Sequence, residues 1–133
     1  MKPVDATISK ALPTGAKIPT CDNSGAKMLK IFSVKGQNTV KSQNAAAGVG
    51  DLVKASVTRG RPDMRKTTVW AVIVRQKKEY KRADGTRVQF EDNAAVVLNN
   101  KDGDPKGTIY KGPIAKEATE RWPGIAKVAS III

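Results

Sequence analysis

Apart from its lysines and arginines, the chain has few residues that could do chemistry. It contains one cysteine, Cys21, and no histidine. Zinc sites that combine cysteine with histidine, imidazole acid–base catalysis and histidine-containing triads are therefore excluded. Because Cys21 would lack an imidazole base, we expect it to be a small buried apolar residue rather than a nucleophile. We predict no catalytic residue, no metal site and no cofactor.

Three short motifs resemble functional sites but lack the residues that would complete them. The Gly-Val-Gly-Asp segment at 48–51 lacks the Gly-Lys-Ser/Thr ending of a phosphate loop. The Asp-Gly-Asp segment at 102–104 has too few oxygen ligands nearby for a calcium loop. We interpret both segments as turns. Glu91 and Asp92 are adjacent acids without a base or nucleophile, so we expect a cap or a salt bridge to a neighbouring arginine.

Positive charge is the strongest functional signal. The chain has 24 lysines and arginines against 12 acids, a net charge of +12, and its pI of about 10.0 exceeds the value of about 9 that is typical of nucleic-acid-binding domains. Such a balance favours a polyanion: RNA, DNA or an acidic membrane surface. No amphipathic basic helix is present for a membrane surface, which favours nucleic acid. No apolar run approaches the roughly 20 residues of a spanning helix, and residues 1–14 do not resemble a secretory signal, so we expect a cytoplasmic protein.

The cations concentrate in two predicted protrusions, a loop at 59–66 and a hairpin at 75–87, where only Asp63, Glu79 and Asp84 oppose them. A merely solvated surface would interleave both signs, whereas a phosphate-binding surface concentrates one sign because neutralising each phosphate releases counterions. Tyr80 lies among these charges and could either stack on a base or sugar or pack in the interior. The predicted RNA-binding residues are Lys27, Lys54, Arg59, Arg61, Arg65, Lys66, Arg75, Lys77, Lys78, Lys81, Arg82 and Arg87.

The elements that must position these cations indicate one mainly β domain over residues 1–133. Valines and alanine alternate with polar residues from 51 to 58, which predicts a half-buried strand with Val53, Ala55 and Val57 facing inward. The 68–74 segment is apolar on both faces, which predicts the central strand. Short apolar segments separated by turn residues predict a small five-stranded antiparallel β-barrel. The strands are expected at 26–34, 51–58, 68–74, 86–91 and 94–98.

The segments outside the strands also have sequence features that predict their structure. We expect residues 1–14 to form a loose N-terminal arm and residues 35–50 an irregular loop that is long enough to be functional. Asp84 and Gly85 separate two β-prone segments, which predicts a hairpin with a type I′ turn.

The C-terminal residues 112–133 change to a helical pattern. Ile114, Ala118 and Trp122 recur at i, i+4 and i+8, with Pro113 in the first turn and Pro123-Gly124 as the stop. A second apolar stripe follows. We predict two short helices that cap one end of the barrel, the second with an apolar face of Ile125, Val128, Ala129 and Ile132.

Several short sequence motifs identify the type of protein more specifically than the pattern of strands and helices. They are Cys-Asp-Asn-Ser-Gly-Ala at 21–26, Ala-Val-Ile-Val at 71–74, Asp-Gly at 84–85, Phe-Glu-Asp-Asn-Ala-Ala-Val-Val at 90–97, Gly-Thr at 107–108 and Gly-Pro-Ile-Ala-Lys-Glu at 112–117. From about Leu12 onward the chain resembles the L-fourteen family of universal large-subunit ribosomal proteins. The Arg-Pro-Asp-Met-Arg segment at 61–65 and the Trp-Pro pair at 122–123 resemble its archaeal and eukaryotic branch.

The resemblance implies a structural constituent of the large ribosomal subunit in the cytoplasmic ribosome. It implies contacts to large-subunit rRNA, to neighbouring ribosomal proteins and to small-subunit rRNA at an intersubunit bridge. It further implies an anti-association factor as partner: a silencing factor in bacteria, initiation factor six in archaea and eukaryotes. Thr108 and Lys127 align with contact positions for the bacterial factor, while Ile109 stands where bacterial members carry arginine. These three residues form the expected protein-docking face.

Two other classes of protein compete with this interpretation. A free nucleic-acid-binding barrel, such as a single-stranded RNA chaperone, would be expected to show several exposed aromatics for base stacking. The chain has only two Phe, two Tyr and two Trp in all. An enzyme would need a catalytic set of residues, which the sequence does not supply.

Overall fold

The computed structural model of the protein describes residues 3, 6–36 and 44–133. Parts of the predicted arm (1–2 and 4–5) and of the predicted 35–50 loop (37–43) lie outside the described residues. The elements are β1 (Leu12–Pro13), β2 (Lys17–Pro19), β3 (Ala26–Val34), β4 (Ala46–Ala47), β5 (Leu52–Gly60), β6 (Thr68–Arg75), β7 (Tyr80–Lys81), β8 (Arg87–Val88), β9 (Ala94–Leu98), α1 (Lys116–Arg121) and α2 (Pro123–Val128).

Five strands form one antiparallel sheet in the order β2-β3-β5-β6-β9. The sheet curls into a half-barrel whose edges meet at a parallel bridge between Thr20 and Ala95. There the Cys21 N–H donates to the Ala95 carbonyl at 3.1 Å. The predicted mainly β fold with two short C-terminal helices is confirmed, and the two edges meet only locally.

The alternation of β5 places side chains in two different clusters. Val53, Ala55 and Val57 face the inside of the curl, as predicted. Leu52 is also buried, but it belongs to a cluster on the opposite face of the sheet. The inner cluster contains Ile18, Leu29, Ile31, Val53, Val57, Ile73 and Val97 among others. The outer cluster contains Leu52, Val72, Val96, Leu98, Ile114, Trp122 and Ile125 among others.

The central strand β6 contributes side chains to both clusters, which explains why its sequence is apolar on both faces. Ala71 and Ile73 lie in the inner cluster, and Val72 and Val74 lie in the outer one. The outer cluster exists because the C-terminal helices cover part of the outer face. Trp122 links them to the turn before β5, since its indole N–H donates to the Gly50 carbonyl at 2.8 Å.

Residues 6–14 contact the rest of the protein, which corrects the predicted loose arm for this part of the chain. Ile8 packs against the outer cluster, and the Lys10 ammonium lies 2.6 Å from the Asp51 carboxylate. Leu12 is buried and pairs with Ala47. These contacts join residues far apart in sequence, so local pattern gave no signal for them.

The predicted hairpin is present, but its turn differs from the expected type I′. β7 pairs with β8, and the Gly85 N–H donates to the Arg82 carbonyl at 3.0 Å. Gly85 has φ +94°, whereas Asp84 has no positive φ. Its carboxylate instead accepts the Thr86 N–H at 3.0 Å. A single glycine in the left-handed region closes a three-residue loop here, so the I′ assignment is wrong.

The C-terminal helices differ from the predicted ones at their ends. Ile114, Ala118 and Trp122 are buried as expected, but α1 begins only at Lys116, beyond Pro113. Pro123 is the first residue of α2, a position where its missing N–H costs no helical hydrogen bond. The second helix ends at Val128. Ile132 therefore lies outside it and forms a parallel bridge with Ile114.

Candidate nucleic-acid interface

The loop after β5 is built around one glycine. Gly60 has φ +152°, and a Cβ at this position would lie 2.5 Å from the Gly25 carbonyl oxygen. Without a side chain, β5 can end against the start of β3, where the Arg61 N–H donates to the Gly25 carbonyl at 2.9 Å. Met64 anchors the loop in the inner cluster. The loop thus holds Arg61 and Arg65 next to the beginning of β3.

This arrangement brings five cations together, which we name the basic cluster. Lys27, Arg59 and Arg65 line one surface depression of about 340 Å³. Lys27 also lines a second depression, of about 380 Å³, together with Arg61 and Lys111. Lys111 was missed by sequence reasoning, because hydrogen bonds to residues distant in sequence place it there: its N–H donates to the Cys21 carbonyl at 2.7 Å, and its carbonyl accepts from Arg75 at 2.9 Å.

Two acids lie near the basic cluster. Asp22 lines the second depression, but its carboxylate accepts hydrogen bonds from the Val97 N–H and the Ser24 hydroxyl. Arg61 lies 3.7 Å from Asp63, but both side chains are more than half exposed, so the pair contributes little. The Arg61 guanidinium also donates to the Ser24 carbonyl at 3.2 Å. Lys27, Arg59 and Arg65 form no ion pair with any residue in the described part of the chain. Lys66 is exposed on the same loop and adopts φ 63°.

The hairpin region exposes a second set of cations. Lys77, Lys78 and Lys81 are exposed, and Arg87 is exposed and paired with Glu79 at 2.8 Å. The hairpin base is held by Gln76, which is fully buried. Its amide nitrogen donates to the Lys78 and Ser9 carbonyls, and its amide oxygen accepts the Val49 N–H at 2.9 Å.

Arg75 does not belong to this surface, which corrects its predicted role. Its side chain is only 9% exposed. The guanidinium donates to the Asp92 carboxylate at 3.0 Å and to the carbonyls of Lys111 and Pro113 at 2.9 and 2.8 Å. Arg75 therefore fixes the 111–113 segment, and the predicted salt bridge of the 91–92 acids is confirmed for Asp92.

Arg82 is likewise used inside the protein. Its guanidinium lies 2.6 Å from Glu117, whose side chain is 2% exposed, and it also donates to the Ile133 carbonyl at 2.6 Å. Tyr80 is buried, and its hydroxyl donates to Glu117 at 2.9 Å. Burial and this hydrogen bond raise the pKa of Tyr80 above its ordinary value. Of the two roles open for Tyr80, packing is the observed one.

Lys54 lies apart from both protrusions. It stands on the outer face of β5, half-buried, with its ammonium 4.8 Å from the centre of the Trp70 ring. A cation over the face of an indole is attracted by the ring quadrupole.

The three predicted docking residues lie on two elements. The Asn23 side chain accepts the N–H groups of Thr108 (2.7 Å) and Ile109 (3.3 Å), which fixes this loop. Ile109 is 61% exposed. Lys127 is exposed on α2, and both elements rest on the outer cluster through Tyr110 and Ile125.

Groups capable of other chemistry are buried or dispersed. Burial raises the pKa of the Cys21 thiol to about 11, so the group is neutral at pH 7 and the predicted buried apolar role is confirmed. Among the residues that the structure describes, no group of three or more His, Cys, Asp or Glu side chains could hold a metal ion. No helix within the same residues is long and apolar enough to cross a membrane.

A curled antiparallel sheet with unpaired arginines and lysines on projecting loops is typical of small structural proteins that associate with nucleic acid. The model of the family described as ribosomal protein L14p/L23e matches residues 11–133. The chain belongs to this ribosomal protein family, and the resemblance seen in its sequence is confirmed.

Curated relatives cover the whole chain. The large ribosomal subunit protein uL14 of Nanoarchaeum equitans is 54% identical over 133 residues, which are 100% of both chains. The proteins of the same name from Methanococcus vannielii and Picrophilus torridus are 52% and 50% identical, and the matches cover 99% and 100% of both chains. These relatives come from archaeal species, in agreement with the predicted branch.

Proposed function

We propose that the chain, a structural and non-enzymatic constituent of the large ribosomal subunit, binds large-subunit rRNA through the basic cluster and the exposed hairpin cations. As a member of its family it partners rRNA and other ribosomal proteins in the cytoplasmic ribosome. One observation carries the choice of surface: Lys27, Arg59 and Arg65 converge on one depression and have no acid partner among the described residues.

Such a cluster favours an anionic ligand for two reasons. Unpaired like charges that lie close together repel one another, and phosphates relieve this repulsion while releasing their own counterions. Arginine also presents a planar fork of donors that matches a phosphate group. Arg75 and Arg82 lack this freedom because Asp92 and Glu117 occupy them. The proposed rRNA contacts are therefore Lys27, Arg59, Arg61, Arg65, Lys66, Lys77, Lys78, Lys81, Arg87 and Lys111.

The test reverses charge within the basic cluster. We expect the double variant Arg59→Glu with Arg65→Glu to bind deproteinised large-subunit rRNA at least tenfold more weakly at about 0.1 M salt. Because about two phosphate contacts are lost, the slope of log affinity against log salt should flatten by roughly 1.5 to 2. Filter binding over a salt series measures both quantities.

A matched control carries the same change in net charge elsewhere. Lys101→Glu with Lys127→Glu alters two exposed lysines outside the basic cluster and should leave rRNA affinity within a few-fold. Equal losses in the two double variants would mean that only total charge matters, and the proposed surface would be wrong.

A second proposal concerns the face formed by Thr108, Ile109 and Lys127. By resemblance we propose that this face docks an anti-association factor of the initiation-factor-six type, and that the protein contributes to a bridge with small-subunit rRNA. The rigid, half-apolar loop around Ile109 supports a protein contact, because interfaces combine apolar and polar groups on a preformed surface.

Thr108→Glu with Lys127→Glu should abolish binding of the purified factor to large subunits that carry the variant. The same change should leave rRNA affinity within a few-fold of that of the parent protein. Light scattering of mixed large and small subunits would measure whether the subunits still associate, which tests the bridge. Loss of rRNA binding with factor binding intact would reverse the assignment.

A further inference from the structure

Among the residues that the structure describes, the outer cluster covers only part of the outer face of the sheet. Leu52, Val72 and Leu98 are covered by the outer cluster at one end. At the other end, register places Lys17 opposite Lys30 and Lys30 opposite Ser56, and places Ser33 opposite Lys54. We name this region the uncovered face; it consists of Lys17, Lys30, Phe32, Ser33, Lys54 and Ser56.

Phe32 projects from this face at an irregularity of β3. The register shifts between Ile31 and Ser33, so Phe32 and Ser33 both lie outside while Val34 returns to the inner cluster. Phe32 is 49% exposed. The other large apolar side chains that are exposed in the described residues are isoleucines at 109 and 131–133. One exposed apolar side chain is common on a protein surface, so Phe32 indicates a partner only together with the unpaired lysines beside it.

The charge on the uncovered face indicates what that partner is. Lys17 and Lys30 are directly opposed, and like charges in this position destabilise a sheet. The strands β2, β3, β5, β6 and β9 contain no aspartate or glutamate. Neither lysine forms an ion pair with any described residue. An anionic partner would relieve this repulsion.

We propose that the uncovered face is a second RNA contact, in which a base stacks on Phe32 while Lys17, Lys30 and Lys54 hold flanking phosphates. The proposal rests on the proposed function, rRNA binding, and assigns it to residues that do not line the two depressions of the basic cluster. Aromatic rings beside lysines form the usual platform for unpaired nucleotides, because every base has a face that can stack. Ser33 and Ser56 add hydroxyl donors of the kind that bind phosphate and sugar oxygens. Lysine is depleted in the centres of protein–protein interfaces, which disfavours a protein on this face.

The first experiment separates stacking from charge with conservative variants. Phe32→Leu keeps an apolar side chain but removes the ring, and should weaken binding to deproteinised large-subunit rRNA about tenfold with an unchanged salt slope. Phe32→Trp keeps a stacking surface and should bind within about twofold of the parent. Lys17→Gln with Lys30→Gln should instead flatten the salt slope by roughly 1.5 to 2.

Ile131→Ala removes a similarly exposed apolar side chain outside the uncovered face and should leave rRNA affinity unchanged. If Arg59→Glu with Arg65→Glu weakens binding while the Phe32 and lysine variants do not, the uncovered face is not an RNA contact and the proposed function stands. If no variant changes binding, both proposals fail. If Phe32→Leu leaves rRNA affinity intact but reduces incorporation into large subunits, a protein covers this face and the inference is overturned.

Discussion

At the scale of single residues, not every charged side chain of this protein is free to bind an anionic ligand. Arg75 and Arg82 lie in the most basic stretch of the sequence, yet the structure directs both inward. Their donors are used by Asp92, Glu117 and three backbone carbonyls. Each arginine connects the hairpin region to the C-terminal part of the chain, so its contribution is to stability.

A charge reversal tests this assignment. Arg82→Glu would place two carboxylates side by side, with Glu117 almost fully buried, and should destabilise the protein by about 3–5 kcal/mol. The thermal midpoint should fall by roughly 10 °C or more. Lys81→Glu is the matched control: the neighbouring exposed cation should change stability by no more than about 0.5 kcal/mol. Similar melting losses in both variants would contradict the inward assignment of Arg82.

The sequence predicted which residues are charged but not where each charge points. The partners of Arg75 and Arg82 lie 17 and 35 positions away along the chain. No local period links such pairs, and a buried ion pair and an exposed phosphate contact use the same residue types. Lys111 was missed for the same reason. The exposed cations of the 59–66 loop were predictable because that loop is short, polar and flanked by strands.

At the scale of elements, Trp122 joins three pieces of structure. It ends α1, precedes α2 and donates its indole N–H to Gly50 in the turn before β5. Trp122→Phe should lower the free energy of unfolding by about 1–3 kcal/mol, because the Gly50 carbonyl is left without this donor. Trp122→Ala should lower the free energy of unfolding by about 3–5 kcal/mol, since it also opens a cavity. Urea unfolding measures both.

Trp70→Phe is the control for the Trp122 variants, because Trp70 is only half-buried. Trp70→Phe should lower the free energy of unfolding by less than about 1.5 kcal/mol. An equal loss at both positions would show that the bond to Gly50 contributes nothing specific.

Most strand positions were predicted well because runs of apolar β-forming residues are a local property. The exceptions include β2, which was not predicted, and the strand expected at 86–91, which is only Arg87–Val88 and lies outside the five-stranded sheet. The strands predicted at 26–34, 68–74 and 94–98 agree with β3, β6 and β9 within a residue or two. Helix ends were predicted less well: α1 begins at Lys116 rather than near Pro113, and α2 ends at Val128, before Ile132. The anchoring of residues 6–14 depends on Asp51 and Gln76, which are distant in sequence and give no local signal.

At the scale of the whole molecule, a net charge of +12 in a chain of 133 residues produces self-repulsion. Raising sodium chloride from about 0.02 to 0.5 M shortens the screening length several-fold and should raise the thermal midpoint of the free protein by a few degrees. The same salt should weaken rRNA binding. Arg59→Gln with Arg65→Gln should reduce the salt dependence of both properties, and a midpoint that falls with salt would contradict the expected repulsion.

The bridge between Thr20 and Ala95 has a consequence for how the chain folds. β3, β5 and β6 can pair in sequence order, whereas the two edges of the curl join residues 75 positions apart, so closure is expected among the slower, later steps. Until then β2 and β9 each present an unpaired edge that another chain could extend. The positive charge that draws RNA also drives like chains apart during this interval. We expect this repulsion to slow the association of partly folded copies.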